Sequence, residues 1–563
     1  MNAQACASPD VNKGWNSINW KKSESYVKKL QARIVKAQQE GRHNKVKTLQ
    51  WTLTHSFYAK ALAVKRVTGN KGKGTPGVDG VTWSTPDAKF RAILSLKRRG
   101  YSPQPLRRVY IPKSNGKMRP LSIPTMIDRA MQTLYKFALE PLVETCADPN
   151  SYGFRKGRCT QDAITHCHMS LAGANAPTWI LEGDIKGCFD NISHEWIIGN
   201  VPMDKEILRK FLKCGYVDMG KLFQLQSGTP QGGSLSPIIC VYVLSGLEKQ
   251  LKSKFYAGKK GGKYYNPKVN FTGYADDFIV TGKSPELLEK EVLPLIRAFM
   301  AERGLKLSED KTVITNIQDG FDFLGCNIRK YNKKVLTKPS KKNIQSFIRK
   351  IQTIIKANQT AQQENLIHRL NPVINGWVNY HKHNVSKEVF GKVDHQIWQH
   401  TWQWAKRRHH EKGNHWIYNK YYHFSNSRKW IFGTPTGSQT ESGEKKYVNL
   451  VKATDTKIRR FTKIKSEANP FDSTWDKYFE EREALKMSYS LNGRQVLLKM
   501  FNMQRGKCPL CGKSITEETG FTVEKGITEN HARSLIHPQC HEEFHSLQAG
   551  LSRPYNQGDF ALA

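Results

Sequence analysis

Two carboxylates stand side by side at Asp276 and Asp277, in a short turn, Tyr274-Ala275-Asp276-Asp277, between apolar, β-prone runs at 269–271 and 278–280. Paired carboxylates at a strand turn suit divalent cations. In two-metal phosphoryl transfer the ions stand roughly 3.5–4 Å apart, one activating the attacking hydroxyl and the other neutralising the leaving group. An Ala-Asp-Asp tripeptide alone is more often a solvated turn, so further residues must join it. Asp184 is a candidate, because Trp179-Ile180-Leu181 reads as a strand whose end delivers Asp184 and then Phe189-Asp190. Neighbouring strands would let the distant Asp184 and Asp276 share the same ions.

Cations come next. The run from Arg107 to Leu121 reads as a β-hairpin with a Ser114-Asn115-Gly116 turn, and Lys113 and Arg119 flank that turn. Such a fork can grip phosphate oxygens, Arg in bidentate fashion and Lys as a point charge, although an ordinary basic hairpin has the same pattern. Thr229-Pro230-Gln231-Gly232-Gly233 precedes an apolar helix starting near Pro237, and its paired glycines let backbone lie close to a ligand. Near the C-terminus Cys508-Pro509-Leu510-Cys511 is followed by Cys540 and His545, with His537 and His541 nearby. A C-x2-C knuckle followed by Cys and His predicts a tetrahedral Zn²⁺ site at Cys508, Cys511, Cys540 and His545, with His541 as a substitute ligand and free thiols as the alternative.

The elements that must position these groups are legible in outline. At 563 residues the chain predicts three or four domains. Lys and Arg number 89 against 48 acidic residues, a formal net charge of +41, which points to a polyanion partner. The excess is not a detachable tail, since the first hundred positions alone carry 20 basic and 5 acidic residues. Residues 329–350 contain no acidic residue at all. No window approaches the roughly 18 apolar residues of a membrane span, and no apolar signal core opens the chain, so the expectation is an intracellular protein without membrane contact. Singly scattered cysteines fit reduced thiols. Residues 24–67 read as two amphipathic helices with basic polar faces. From about 105 to 330 apolar strands alternate with helical stretches at 125–142 and 284–302. Residues 340–410 are helical and rich in Trp, Lys and Arg; 425–495 is polar, basic and weakly periodic.

Taken together, these blocks resemble reverse transcriptases, and more narrowly the intron-encoded proteins of bacterial group II introns, from about Trp15 to His545. The resemblance also includes Thr75-Pro76-Gly77-Val78-Asp79-Gly80, Ser151-Tyr152-Gly153-Phe154-Arg155, Gly304-Leu305-Lys306-Leu307 with Lys311-Thr312, Phe323-Leu324-Gly325, and Asn375-Gly376-Trp377-Val378-Asn379-Tyr380-His381. It implies an α/β (α+β) right-hand polymerase with fingers, palm and helical thumb, plus small C-terminal DNA-binding and zinc-binding modules. The implied parts are an N-terminal extension (1–104), fingers and palm (105–330), thumb or maturase domain (331–424), basic DNA-binding region (425–495) and a shortened H-N-H-like zinc module (496–563).

By the same resemblance Asp184, Asp276 and Asp277 would be the catalytic carboxylates holding two Mg²⁺ ions, and Lys113 and Arg119 would hold the triphosphate. Phe189 would block a ribose 2′-OH; Gln231 and Gly232 would border nucleotide and template. Lys338, Lys341, Lys342, Arg349, Lys350, Lys406, Arg407 and Arg408 would contact nucleic acid. Trp398 and Trp402, at i and i+4, suit either a core or stacking on unpaired bases. Implied partners are group II intron RNA, target DNA and deoxynucleoside triphosphates, in a bacterial cytoplasm at the nucleoid. One departure stands out: where members with an active nuclease carry a His-His strand, this chain has Thr522-Val523-Glu524-Lys525-Gly526, which predicts weak or absent DNA cutting. An RNA-binding splicing cofactor with an idle polymerase, or a reverse transcriptase without an intron, are the competing readings; the intact Asp184, Asp276, Asp277, Lys113, Arg119 and Phe189 speak against the first.

Overall fold

The computed structural model describes residues 14–112, 116, 118–260, 263–425, 428–439, 445–491, 494–517, 519–528 and 531–551. They form two compact units, Met1–Glu467 and Ala468–Ala563.

The first unit opens on three helices, Trp20–Gln39, His43–His55 and Phe57–Gly69, where the periodicity of 24–67 gave two. The extra break falls at Ser56, whose backbone is extended, so the apolar run after it turns onto the long helix Met126–Cys146. That helix starts on its Thr125 cap, the side chain accepting from the Asp128 N–H, and carries Pro141 inside it. Pro141 has no N–H to give the Phe137 carbonyl four residues back. Gln31 donates its amide to that carbonyl at 2.9 Å, so an N-terminal helix fills the gap that the proline leaves. Ile34, Leu53, Val64, Leu134 and Leu139 share one continuous core with the palm.

The palm is an antiparallel sheet in the order Val313–Asn316, Trp179–Asp184, Asp277–Gly282, Phe271–Tyr274. The hairpin Leu106–Pro112 with Met118–Ile123 belongs to a separate sheet. The helical stretch at 284–302 contains a π-helical turn, Leu288–Val292, directly before Leu293–Ala301. The wider turn accommodates Pro294, which cannot donate to the preceding turn.

A small sheet of Phe321–Phe323, Cys326–Tyr331 and Lys334–Pro339 leads into helices Lys341–Ala357, Gln363–His381, Lys387–Arg408 and Asn414–Tyr421. These helices enclose a core of their own around Ile351, Leu370, Ile374, Phe390 and Trp404. The strands Arg428–Gln439 and Lys445–Asn449 extend that core through Phe432, with Val448 packed against it. Residues 450–467 then lie as a strap from thumb to palm. Asp394 accepts from the Ala453 and Thr454 N–H groups, Arg459 N–H donates to the Lys382 carbonyl, and Ile464 N–H donates to Asp162 at 2.7 Å. The second unit has helices Asp476–Ser490, Gln495–Met503 and Pro538–Leu551 and a hairpin, Thr522–Thr528 with His531–Ile536, around Met487, Phe501, Leu535 and Ile536.

Candidate functional site

The register of the palm sheet puts Asp184 directly opposite Asp277, while Tyr274 and Asp277 close the neighbouring hairpin. Between them Ala275 takes a left-handed conformation, φ 56°, which costs an L-residue roughly 1–2 kcal/mol. The surroundings hold it there. Tyr152 N–H donates to the Gly273 carbonyl at 2.9 Å, and a Cβ on Gly153 would stand 2.2 Å from the Ala275 nitrogen. Only glycine lets the Ser151–Phe154 segment press so closely on the turn. From the other side Ile185 N–H donates to the Asp276 carbonyl, Ser308 N–H to the Asp184 carbonyl and Lys186 N–H to the Lys306 carbonyl. The blocks at 151–155, 184, 274–277 and 304–312 are thus one structure.

Asp184, Asp276 and Asp277 are each half-buried. Burial, and then the charges of Asp276 and Asp184, push Asp277 up to about 6; burial and Asp184 also raise Asp276. Crowded carboxylates with raised pKa values are those whose ionised form a bound cation most favours. One cation is already drawn in: Lys311 Nζ lies 2.9 Å from an Asp184 carboxylate oxygen, and that contact raises the lysine. The donor set, three carboxylates from adjoining strand ends, therefore fits hard divalent ions.

The groups flanking this cluster converge through the loop at 228–233. Thr229 N–H donates to the Phe189 carbonyl at 2.6 Å, and Ser122 N–H donates to the Gln231 carbonyl at 2.7 Å. Gly232 has φ +126°, and a Cβ there would stand 2.4 Å from the Ser122 carbonyl oxygen. Arg119, on the same strand as Ser122, is near enough for its charge to favour ionised Asp276. The Phe189 ring is half-buried, with the Phe154 ring edge-on at 5.8 Å. Lys113 lies outside the described residues. Residue types alone did not single out Lys311 or Gly153. Lys311 is one lysine among many, and Gly153 is legible only once the turn it touches is known.

Along the thumb, Lys341, Lys342, Arg349, Lys350, Lys406 and Arg407 are exposed. Lys341 and Lys342 open a helix whose first turn has no acidic residue, against the helix dipole. Lys338 lies 5.0 Å from the Tyr331 ring centre. Arg408 differs, since it is half-buried and donates to the Gln359 and Ala361 carbonyls. Trp398 and Trp402 stack at 6.5 Å and meet Trp430 edge-on, at the margin of the thumb core. The Asn375–His381 run is a fastening: Trp377 Nε1 and His381 Nε2 both reach Asn343 Oδ1, and Tyr380 Oη donates to the Leu324 carbonyl.

In the terminal unit Cys508, Cys511, His537 and Cys540 bring their ligand atoms within 4.8 Å of one another. The expectation of His545 as the fourth ligand is corrected. His545 follows Cys540 by five residues on one helix, about 140° around it, whereas His537 precedes the helix and comes within 3.3 Å of Cys511. His537 Nε2 donates to the Ser514 carbonyl, leaving Nδ1 for an ion. His541 and His545, one turn apart, instead pair with Glu524 at 2.8 and 3.2 Å. The sulfur–imidazole tetrad suits a soft or borderline divalent metal.

Residues 111–328 match the family described as reverse transcriptase (RNA-dependent DNA polymerase), 15–96 the N-terminal domain of reverse transcriptase, and 344–422 the group II intron, maturase-specific domain. Protein YkfC of Escherichia coli is 33% identical over 47% of this chain and 78% of its own length. Group II intron-encoded protein LtrA of Lactococcus lactis is 32% identical over 48% of this chain, which spans about half (54%) of LtrA. Maturase-like protein 1 of Euglena gracilis is 26% identical over 66% of this chain and 78% of its own length. A solved telomerase structure from Candida albicans aligns loosely, with TM-score 0.33 at 13% identity over 56% of this chain and 63% of that one. Among the described residues no helix is long and apolar enough to cross a membrane. With a reverse transcriptase domain built around the Asp184, Asp276 and Asp277 cluster and followed by a maturase-specific domain, the chain belongs to the group II intron-encoded reverse transcriptases and is an RNA-directed DNA polymerase by class.

Proposed function

We propose that Asp184, Asp276 and Asp277 hold two Mg²⁺ ions and that this site copies group II intron RNA into DNA from deoxynucleoside triphosphates. The single observation that supports this most is the register that sets Asp184 against Asp277 beside Asp276, with Asp276 and Asp277 raised by burial and then by the neighbouring carboxylate charge. Bound Mg²⁺ would supply activation of the attacking 3′-hydroxyl and neutralisation of the leaving pyrophosphate. The protein's share is positioning and charge. Arg119, with Lys113 of the same hairpin, grips the triphosphate; Phe189 denies room to a ribose 2′-OH; the Gln231 and Gly232 backbone borders the base pair. Lys311 partly neutralises Asp184 until the ions enter.

The maturase part binds the intron RNA that it helps to splice and to reverse-splice into target DNA. Lys338, Lys341, Lys342, Arg349, Lys350, Lys406 and Arg407 supply phosphate contacts, and Arg408 braces the surface that carries them. Residues 425–495 and the Zn²⁺-bound terminal module, with Cys508, Cys511, Cys540 and now His537 as ligands, engage DNA at the bacterial nucleoid. Cutting by that module is weak or absent, because Glu524 engages both helix histidines.

The test is primer extension on an RNA template with Mg²⁺, together with identification of RNA that co-purifies. Asp276→Ala is expected to abolish synthesis while RNA binding persists. Synthesis surviving in that variant would remove the site; intron splicing indifferent to the protein would remove the maturase role.

A further inference from the structure

The thumb helices Lys341–Ala357 and Lys387–Arg408 leave a cleft of about 610 Å³ between them, within the range of pockets that hold small ligands (roughly 300–1,000 Å³). Its floor is apolar, formed by the buried Ile355 and Trp404. One wall carries a polar pair, the Gln352 amide 2.9 Å from His400 Nε2. Burial, then the charge of Lys356, lowers His400, so its ring is neutral near pH 7. Nε2 accepts from Gln352, and Nδ1 keeps the proton. The mouth is lined by exposed Lys356, Gln359, Gln403 and Arg407, and no acidic residue lines the cleft. At its edge the Arg408 guanidinium lies 4.6 Å from the Trp404 ring centre, and its Nε is buried without a partner among the described residues.

These features suit a nucleotide. Amides and a neutral imidazole offer donors and acceptors together, which suits the edge of a base; an acidic peptide would use the donors alone. Two exposed cations at the mouth suit the flanking phosphates. We propose that this cleft captures one unpaired nucleotide of a bound RNA, its base inserted toward Gln352, His400 and Gln403 and its phosphates on Lys356 and Arg407. A base within a duplex has its edge already engaged and lies in the stack, so the cleft selects bulged or single-stranded positions. The inference deepens the RNA-binding reading given above and rests on it.

The experiment compares the full chain on two fluorescein-labelled RNA hairpins, one perfectly paired and one with a single bulged adenosine, by anisotropy at near-physiological salt. The bulged hairpin is expected to bind about tenfold tighter. That preference should shrink to near unity in His400→Leu and, independently, in Gln403→Leu, whose exposed position spares the fold. Tight but equal binding of both hairpins by the unmodified chain would overturn this inference alone, as would a preference unchanged in both variants. Stronger competition by poly-glutamate than by a single-stranded oligonucleotide of equal charge would also overturn it, in favour of an acidic protein partner. Failure to bind either hairpin would overturn it together with the RNA-binding reading beneath.

Discussion

Gly153 shows how little a residue need carry to matter. Its missing side chain is what lets the 151–154 segment lie against Ala275, and Gly153→Ala would put a carbon 2.2 Å from the Ala275 nitrogen. The turn must then shift, and with it Asp276 and Asp277. A displacement near 1 Å at a reacting centre costs about 10²-fold in rate, so primer extension should fall by about that factor in Gly153→Ala while the fold, followed by circular dichroism, is retained. His537 makes a sharper case. His537→Ala should lose the terminal unit's bound metal, read by zinc content of the purified protein, whereas His545→Ala should retain it. The cysteines were legible as a set from their spacing, but the histidine that joins them was not. Several histidines cluster near Cys540, and only the start of the helix at Pro538 decides which of them faces the thiolates.

At the scale of elements, the Asn375–His381 run ties one thumb helix to its neighbour and to the small sheet beneath. His381 is buried, its Nε2 donating to Asn343 and its Nδ1 accepting from Asn384, an arrangement that only the neutral ring can make. Burial accordingly lowers its pKa to about 4, from an ordinary 6.5. A histidine with a depressed folded-state pKa contributes stability that is fully present above 6.5 and is lost as pH falls toward 4, here about 3 kcal/mol in all. Asp148 and Asp277, both raised to about 6 mainly by burial, act with opposite sign over much of the same window. The difference in melting temperature between the unmodified chain and His381→Gln, followed from pH 7 to pH 4, isolates the histidine and should narrow on acidification. The sequence disclosed three of the four palm strands, through the runs at 179–181, 269–271 and 278–280, and most of the 126–146 helix, whose periodicities are local; it did not disclose the edge strand Val313–Asn316. Nor did it disclose the break at Ser56, which answers to packing on the distant helix Met126–Cys146, or the π-helical turn, because a proline such as Pro294 can equally kink or end a helix and its position alone does not say which.

For the molecule as a whole, the net charge of +41 predicts a steep dependence of RNA binding on salt. With some 6–10 phosphate contacts, affinity for a paired RNA should fall by about 10³–10⁵ between 50 and 200 mM salt. A shallow slope in filter binding would mean that the exposed cations of the thumb are mostly solvated. Charge was readable from composition, yet which cations face a ligand and which brace the protein was not; Arg408 divides from Arg407 only in three dimensions. The segment from Ala453 to Ser466 has a mechanical meaning. It is bonded to the thumb through Asp394 and Lys382 and to the palm through Asp162 and Arg158. Prising thumb from palm would unzip these bonds in turn, so the two halves of the grip are laced together by the chain's own continuation, and a nick within the lacing would loosen the hold on a copied strand without touching a single catalytic atom.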